Sequence, residues 1–167
     1  MIEFQTPRGI AGDLCLLRPD TRFNPDGAYK ARITLKAEEV ANLVEVFKEE
    51  AVKAFGPKKA SKVTIPGTVT NDDGTVTLTF RSKSRPNVYD SDATPMGLRA
   101  VEAARIGDGS TIRINGGAAT YEGFGGGVAL YLLEIQIIHL VMCKATTGFE
   151  PDAEGSFVSQ GNGVTND

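Results

Sequence analysis

The apolar residues from Val128 to Met142 change phase once: Val128, Leu130 and Leu132 share one parity, Ile135 and Ile137 the other. Side chains of a strand point alternately to its two faces, so one strand keeps both sets inward only if an extra residue is accommodated near Leu133-Glu134, as a β-bulge does. A bulge bends the strand and increases its twist, which helps a small sheet close into a barrel. Glu134, Gln136 and His139 interrupt the run, which also falls short of a bilayer-spanning length. The segment therefore predicts a long, bent strand.

The same period of two recurs upstream. Leu14, Leu16 and Arg18 read as a first strand that turns at Pro19-Asp20, and Asn24-Pro25-Asp26-Gly27 is a strong turn signal after it. From Ala28 to Leu35, Tyr29, Ala31, Ile33 and Leu35 fall on one face and Lys30, Arg32 and Thr34 on the other. The period then changes: Val40, Leu43, Val44, Phe47, Ala51 and Phe55 recur at three- and four-residue steps, which predicts one amphipathic helix over 37–55. Gly56-Pro57 stops it, and a lysine-rich connection, Lys58 to Lys62, follows. Asn71-Asp72-Asp73-Gly74 is a hairpin-type turn into a strand over 75–83, with Val76, Leu78 and Phe80 inward and Thr77, Thr79, Arg81 and Lys83 outward. After Arg85-Pro86 the pattern is irregular to Arg105, with a short helix near 97–104. Ser110 to Asn115 reads as a strand with Ile112 and Ile114 inside and Arg113 outside, and a glycine-rich loop then presents Tyr121 and Phe124. The fold class is mainly β: a barrel with one inserted helix.

A chain of 167 residues accommodates one such domain, placed at 1–146, and a mildly acidic, flexible tail over 147–167 that is too poor in apolar residues to order itself. Cys15 and Cys143 sit far apart in apolar runs and read as reduced, buried thiols. The N-terminal residues lack the pattern of a signal peptide, so a soluble protein of the cytoplasm, with no membrane partner, is expected. The formal net charge of -3 argues against a polyanionic partner until the charges are located. Glu150, Asp152, Glu154 and Asp167 all follow the last basic residue, Lys144, leaving 18 basic against 17 acidic residues in the body. Local patches, rather than net charge, then decide the partner.

Catalytic constellations are sparse. The single histidine, His139, lies in a strand pattern and reads as structural, which leaves neither a Ser-His-Asp triad nor a histidine metal site. Asp72, Asp73, Asp90 and Asp92 fall in turns, where aspartate is common for reasons of backbone geometry. The glycines at 123 and 125–127 lead into a strand, whereas phosphate-binding glycine loops lead into a helix. No cofactor or metal is expected, and no enzymatic activity. The chain does place cations on strand faces: Lys30 and Arg32, then Arg81, Lys83 and Arg85 at alternate positions, then Arg113. Alternate strand positions lie roughly 6 to 7 Å apart on one face, close to a phosphate repeat. Tyr89, Tyr121 and Phe124, at strand ends or in loops, add rings on which bases could stack. Together these nine residues predict a surface for single-stranded nucleic acid.

The order of several short motifs resembles the single-stranded-DNA-binding proteins of bacteriophages, including those of the T7 type. The carriers are Asn24-Pro25 before Tyr29 and the strand to Leu35, the helix after it, Arg85-Pro86-Asn87-Val88-Tyr89-Asp90, Gly109-Ser110, and Gly127-Val128-Ala129-Leu130 running to Ile135-Gln136. The resemblance implies a five-stranded OB-fold barrel and a non-enzymatic protein that coats single-stranded DNA during phage replication and recombination in the host cytoplasm. Such proteins carry a strongly acidic tail ending on an aromatic residue, used to recruit replication partners; this tail is milder and ends Val164-Thr165-Asn166-Asp167, which puts recruitment in doubt. A homodimer is left open. Two rival readings are a β-sandwich phage assembly protein with solvated strand faces and a small nuclease using Asp90 and Asp92.

Overall fold

The alternation from Ala28 to Leu35 forms a strand, β3 (Ala28–Leu35), and the change of period after it forms the helix α1 (Ala37–Phe55), with the bounds that the sequence predicts. The computed structural model describes residues 1–22, 24–65, 67–143 and Glu154. Before β3 come β1 (Ile2–Gln5) and β2 (Gly9–Asp20). After α1 follow α2 (Pro57–Ala60), β4 (Val69–Thr70), β5 (Val76–Ser82), β6 (Asn87–Tyr89), β7 (Pro95–Met96), α3 (Leu98–Ala104), β8 (Thr111–Tyr121) and β9 (Gly127–His139).

Five of these strands pair in a ring. β2 is antiparallel to β3, β3 to β5, β9 to β8 and β8 to β2, while β5 and β9 close the ring in parallel. This is the OB-type barrel expected, with α1 inserted between its second and third strands. The shorter strands extend it: β1 pairs with β8, β4 with β5, β6 with β9 and β7 with β6. The phase slip in β9 is the predicted bulge. Gly116 pairs with Leu132 and Asn115 with Glu134, so Leu133 is the extra residue, and Val128, Leu130, Leu132, Ile135 and Ile137 are all buried.

Inside the barrel, Ala31, Ile33, Leu78, Phe80, Ile112 and Ile114 are completely buried. α1 lays Val40, Leu43, Phe47 and Ala51 against this core. Phe4 of β1 ties helix to barrel, its ring 5.0 Å from that of Phe47 and 5.9 Å from that of Phe80.

Several expectations need correction. β1, β4, β6 and β7 are too short to show a period, and β2 begins at Gly9, well before Leu14. The stretch expected to become a glycine-rich loop after Asn115 instead continues as β8 to Tyr121. Gly116 and Gly117 are strand glycines: a Cβ at Gly116 would stand 2.6 Å from the Phe80 ring, and one at Gly117 would collide with the Met1 side chain. The lysine-rich connection contains the helical turn α2, because Pro57 occupies a first-turn position where its missing N–H costs nothing. His139 is exposed at the end of β9, and Cys15 is half-buried and Cys143 exposed, so neither cysteine is buried as expected. The tail assigned to 147–167, and with it the domain boundary, lies outside the described residues except for Glu154. Among the described residues, no helix is long and apolar enough to cross a membrane.

The Gly116–Phe80 contact makes a prediction. Gly116→Ala forces a methyl group into a packed ring and should lower stability by roughly 1–3 kcal/mol in denaturant unfolding, whereas Gly123→Ala, with open space around it, should cost far less.

Candidate nucleic-acid interface

The outward faces of β3, β5 and β9 form a continuous surface. Arg32 stands opposite Thr79, and Arg81 stands between Lys30 on one side and Tyr131 on the other. Arg81 is exposed, the Arg32 side chain is 45% exposed and Tyr131 is 42% exposed. Gly67, with φ +80, brings bare backbone over Thr79, whose N–H donates to the Gly67 carbonyl at 3.1 Å. Gly67, Thr79, Arg81, Ala129 and Tyr131 line a shallow hollow of about 320 Å³ here. A guanidinium beside an exposed ring can hold a phosphate and its base together.

Tyr131 was not among the residues predicted from sequence, although a signal existed. With Val128, Leu130 and Leu132 inward, strand parity places Tyr131 outward. Beyond it, Gly117 pairs with Tyr131 and carries the exposed Met1 side chain across its outer surface.

Lys30 is the main correction to the predicted site. It lies on the expected side of β3 but is only 2% exposed, with its ammonium 2.6 Å from the Asp13 carboxylate and 2.7 Å from that of Asp20. β2 carries an extra residue between Gly12 and Cys15, where Asp13 adopts φ +46, and this bulge brings the Asp13 carboxylate over Lys30. Arg22 reaches the same carboxylates, 2.8 Å from Asp20 and 3.3 Å from Asp13, and Arg32 is 3.8 Å from Asp13. The bond from Lys30 is the largest influence holding the Asp13 carboxyl below its ordinary value, and bonds from Arg22 and then Lys30 hold Asp20 far below it. Arg22, in the loop between β2 and β3, had no periodic pattern to reveal it.

The three alternate cations after Phe80 do not form one row. β5 ends at Ser82, and the Ser84 N–H donates to the Ser82 hydroxyl at 3.0 Å, so the chain turns. Lys83 is exposed beyond the strand end. Arg85 turns back to donate to the Leu17 carbonyl at 3.0 Å, its guanidinium 5.7 Å from the centre of the half-buried Tyr29 ring.

Tyr89 and Arg113 belong to a different surface, formed by β6, β8 and β9. The Tyr89 hydroxyl donates to Glu134 at 3.2 Å, Asn115 donates to Glu134 at 2.8 Å, and Gln5 donates to Asn115 at 2.8 Å. Arg113 makes a long 3.4 Å contact with Gln136. Burial, followed by the Glu134 charge, raises the Tyr89 hydroxyl above its ordinary value. Tyr121 is half-buried on β8, its ring over Gly127 where a Cβ would collide with it. Phe124 is fully exposed at the tip of the β8–β9 connection, with φ +53.

The carboxylates of Asp73 and Asp90 accept backbone N–H bonds from Thr75, and from Asp92 and Thr94, in their own turns. Among the described residues no cluster of His, Cys, Asp and Glu could hold a metal. A larger cavity of about 590 Å³ lies against α1, lined mainly by apolar groups such as Val44, Phe47 and Val63.

The Lys30 cluster predicts two measurable effects. Lys30→Met leaves two carboxylates sharing Arg22 and should lower stability by roughly 2 to 3 kcal/mol, at or below the lower end for breaking a buried pair because Asp13 keeps some solvent. Asp13 and Asp20 have folded-state pKa values below the ordinary 3.8, so their stabilisation is present above that value and is lost as pH falls below it. Thermal unfolding from pH 6 downward should show a fall below about pH 4 that is shallower in Asp20→Asn.

No protein-family model and no curated protein matches the sequence. Solved structures do match the fold. The single-stranded DNA binding protein gp2.5 of bacteriophage T7 superposes with a TM-score of 0.66 at 21% identity, covering 95% of this chain and 99% of that one. The single-stranded DNA-binding protein of bacteriophage Enc34 in complex with single-stranded DNA gives 0.66 at 12% identity, covering 82% and 86%. A C-terminal truncation of the Enc34 protein gives 0.65 at 14% identity. The chain therefore has the fold of the single-stranded-DNA-binding proteins of bacteriophages T7 and Enc34, as the motif order implied.

Proposed function

We propose that this chain binds single-stranded DNA without sequence preference and without cutting it, coating the strand during phage DNA replication and recombination. The observation that carries this reading is the exposed Arg32–Arg81–Tyr131 surface on a barrel whose structural relatives include an Enc34 protein solved with single-stranded DNA. Phosphates meet Arg32, Arg81 and Lys83, while bases stack on Tyr131 and on Phe124 at the neighbouring loop tip. Stacking accepts any base, which suits a binder that must cover any sequence. Lys30 supports the surface from beneath. Tyr89 and Arg113, on the β6–β8–β9 surface, and Arg85 and Tyr121, both engaged with the barrel, contribute less. The binding function resides in residues 1–146, and the tail from 147 is a separate, mildly acidic segment.

Fluorescence anisotropy with labelled oligonucleotides provides the test. Binding should be tighter to single-stranded than to duplex DNA and should weaken steeply with salt; equal binding to both forms would overturn the proposal. Combined Arg81→Ala and Lys83→Ala should flatten the log–log salt dependence by about 1.4, at about 0.7 per phosphate contact on a single strand. Tyr131→Ala should cost about 1 to 3 kcal/mol of binding with little change in salt slope, and Tyr131→Phe should retain most of the affinity.

A further inference from the structure

We infer that Arg22, Lys30 and Arg32 form a phosphate subsite which, in the unbound protein, is occupied by the protein's own Asp13 carboxylate. This rests on the proposed single-stranded DNA binding and assigns a regulated contact within that surface. Three cations converge on one carboxylate: Lys30 Nζ is 2.6 Å from Asp13 Oδ2, Arg22 Nη2 is 3.3 Å from Oδ1 and Arg32 Nε is 3.8 Å from Oδ2. The three come from two elements, the β2–β3 loop and β3, and surround the carboxylate as they would surround a phosphate oxygen. The Arg22 and Arg32 side chains are 60% and 45% exposed, and Asp13 is 30% exposed, so an incoming phosphate can reach the position that Asp13 fills.

Asp20 plays a different part. Its side chain is only 6% exposed and bonds Lys30 at 2.7 Å, so Lys30 keeps a buried partner when Asp13 leaves. Asp13 sits on a bulge in the left-handed region, which aspartate and asparagine tolerate better than other residues with a Cβ. Its backbone N–H donates to the Asp108 carboxylate at 2.9 Å, which fastens the bulge. The carboxylate thus competes with each phosphate that approaches Arg22 and Arg32. Such competition lowers affinity and keeps bound strands exchangeable.

Asp13→Asn tests this directly, because asparagine keeps the left-handed conformation and removes only the charge. At neutral pH the variant should show a lower unfolding midpoint, because Lys30 loses one of its two carboxylates, but should remain folded because Asp20 still pairs it. It should bind single-stranded DNA roughly three- to tenfold more tightly at low salt, the scale of one charge-assisted contact, and steepen the log–log salt dependence by about 0.7. Asp26→Asn removes the same charge from the adjoining loop and should give a much smaller gain with no added slope. Adding Arg22→Gln to Asp13→Asn should abolish the gain. An Asp13→Asn protein that binds no more tightly than Asp26→Asn, with an unchanged slope, overturns the subsite while leaving DNA binding intact. Failure of the wild-type protein to bind single-stranded DNA overturns the parent reading instead. In that event, pyrophosphate titrated against the Arg22 and Arg32 Nε resonances tests the subsite alone: larger shifts in Asp13→Asn than in wild type support it, and equal or absent shifts overturn it.

Discussion

The parallel contact between β5 and β9 is the constraint on which both the barrel and its candidate surface depend. The other four seams of the ring are antiparallel, whereas this one is parallel and joins strands separated in the chain by β6, β7, α3 and β8. It is also short, with a single register pair, Arg81 and Tyr131. β4 along β5 and the Thr64–Gly127 bridge fill the remaining gap. The Leu133 bulge lets β9 bend enough to reach β5 and still keep both of its apolar sets inward. The same closure sets a guanidinium next to an exposed ring.

Charge on this face is organised in two layers. Beneath the surface, Lys30 is held by two carboxylates, and above it Arg22, Arg32 and Arg81 remain accessible. A buried ammonium is costly unless it is paired, and Asp20, buried beside it, and the more exposed Asp13 supply that pairing for Lys30. Those acids in turn temper the positive field of the surface, and the net potential available to a polyanion is smaller than a count of basic residues suggests.

The surface formed by β6, β8 and β9 shows how similar residues can serve a different end. Tyr89, Arg113, Asn115, Glu134 and Gln136 resemble a binding set when counted by type, yet their polar groups largely bond to one another or to backbone. They fasten the β6 extension onto β9 and β8. An exposed guanidinium stands beside an exposed ring instead where β5 meets β9, at Arg81 and Tyr131.

What the sequence determined by itself was whatever depends on local period: α1 and β3 to the residue, the inward faces of β5 and β9, the bulge at Leu133, the turn at Asn71–Gly74 and the α3 helix. These follow from alternation, helical spacing and turn chemistry, which are properties of neighbouring residues. The tertiary structure alone decided what meets across the barrel. It buried Lys30 under Asp13 and Asp20, turned Arg85 back onto Tyr29, divided Tyr89 and Arg113 from Arg32 and Arg81, and carried β8 through Gly116 and Gly117 because Phe80 and Met1 fill the space beside them. Strand parity says which side of a sheet a residue occupies, but solvent exposure and ion pairing depend on register with distant strands, and that is set only when the ring closes.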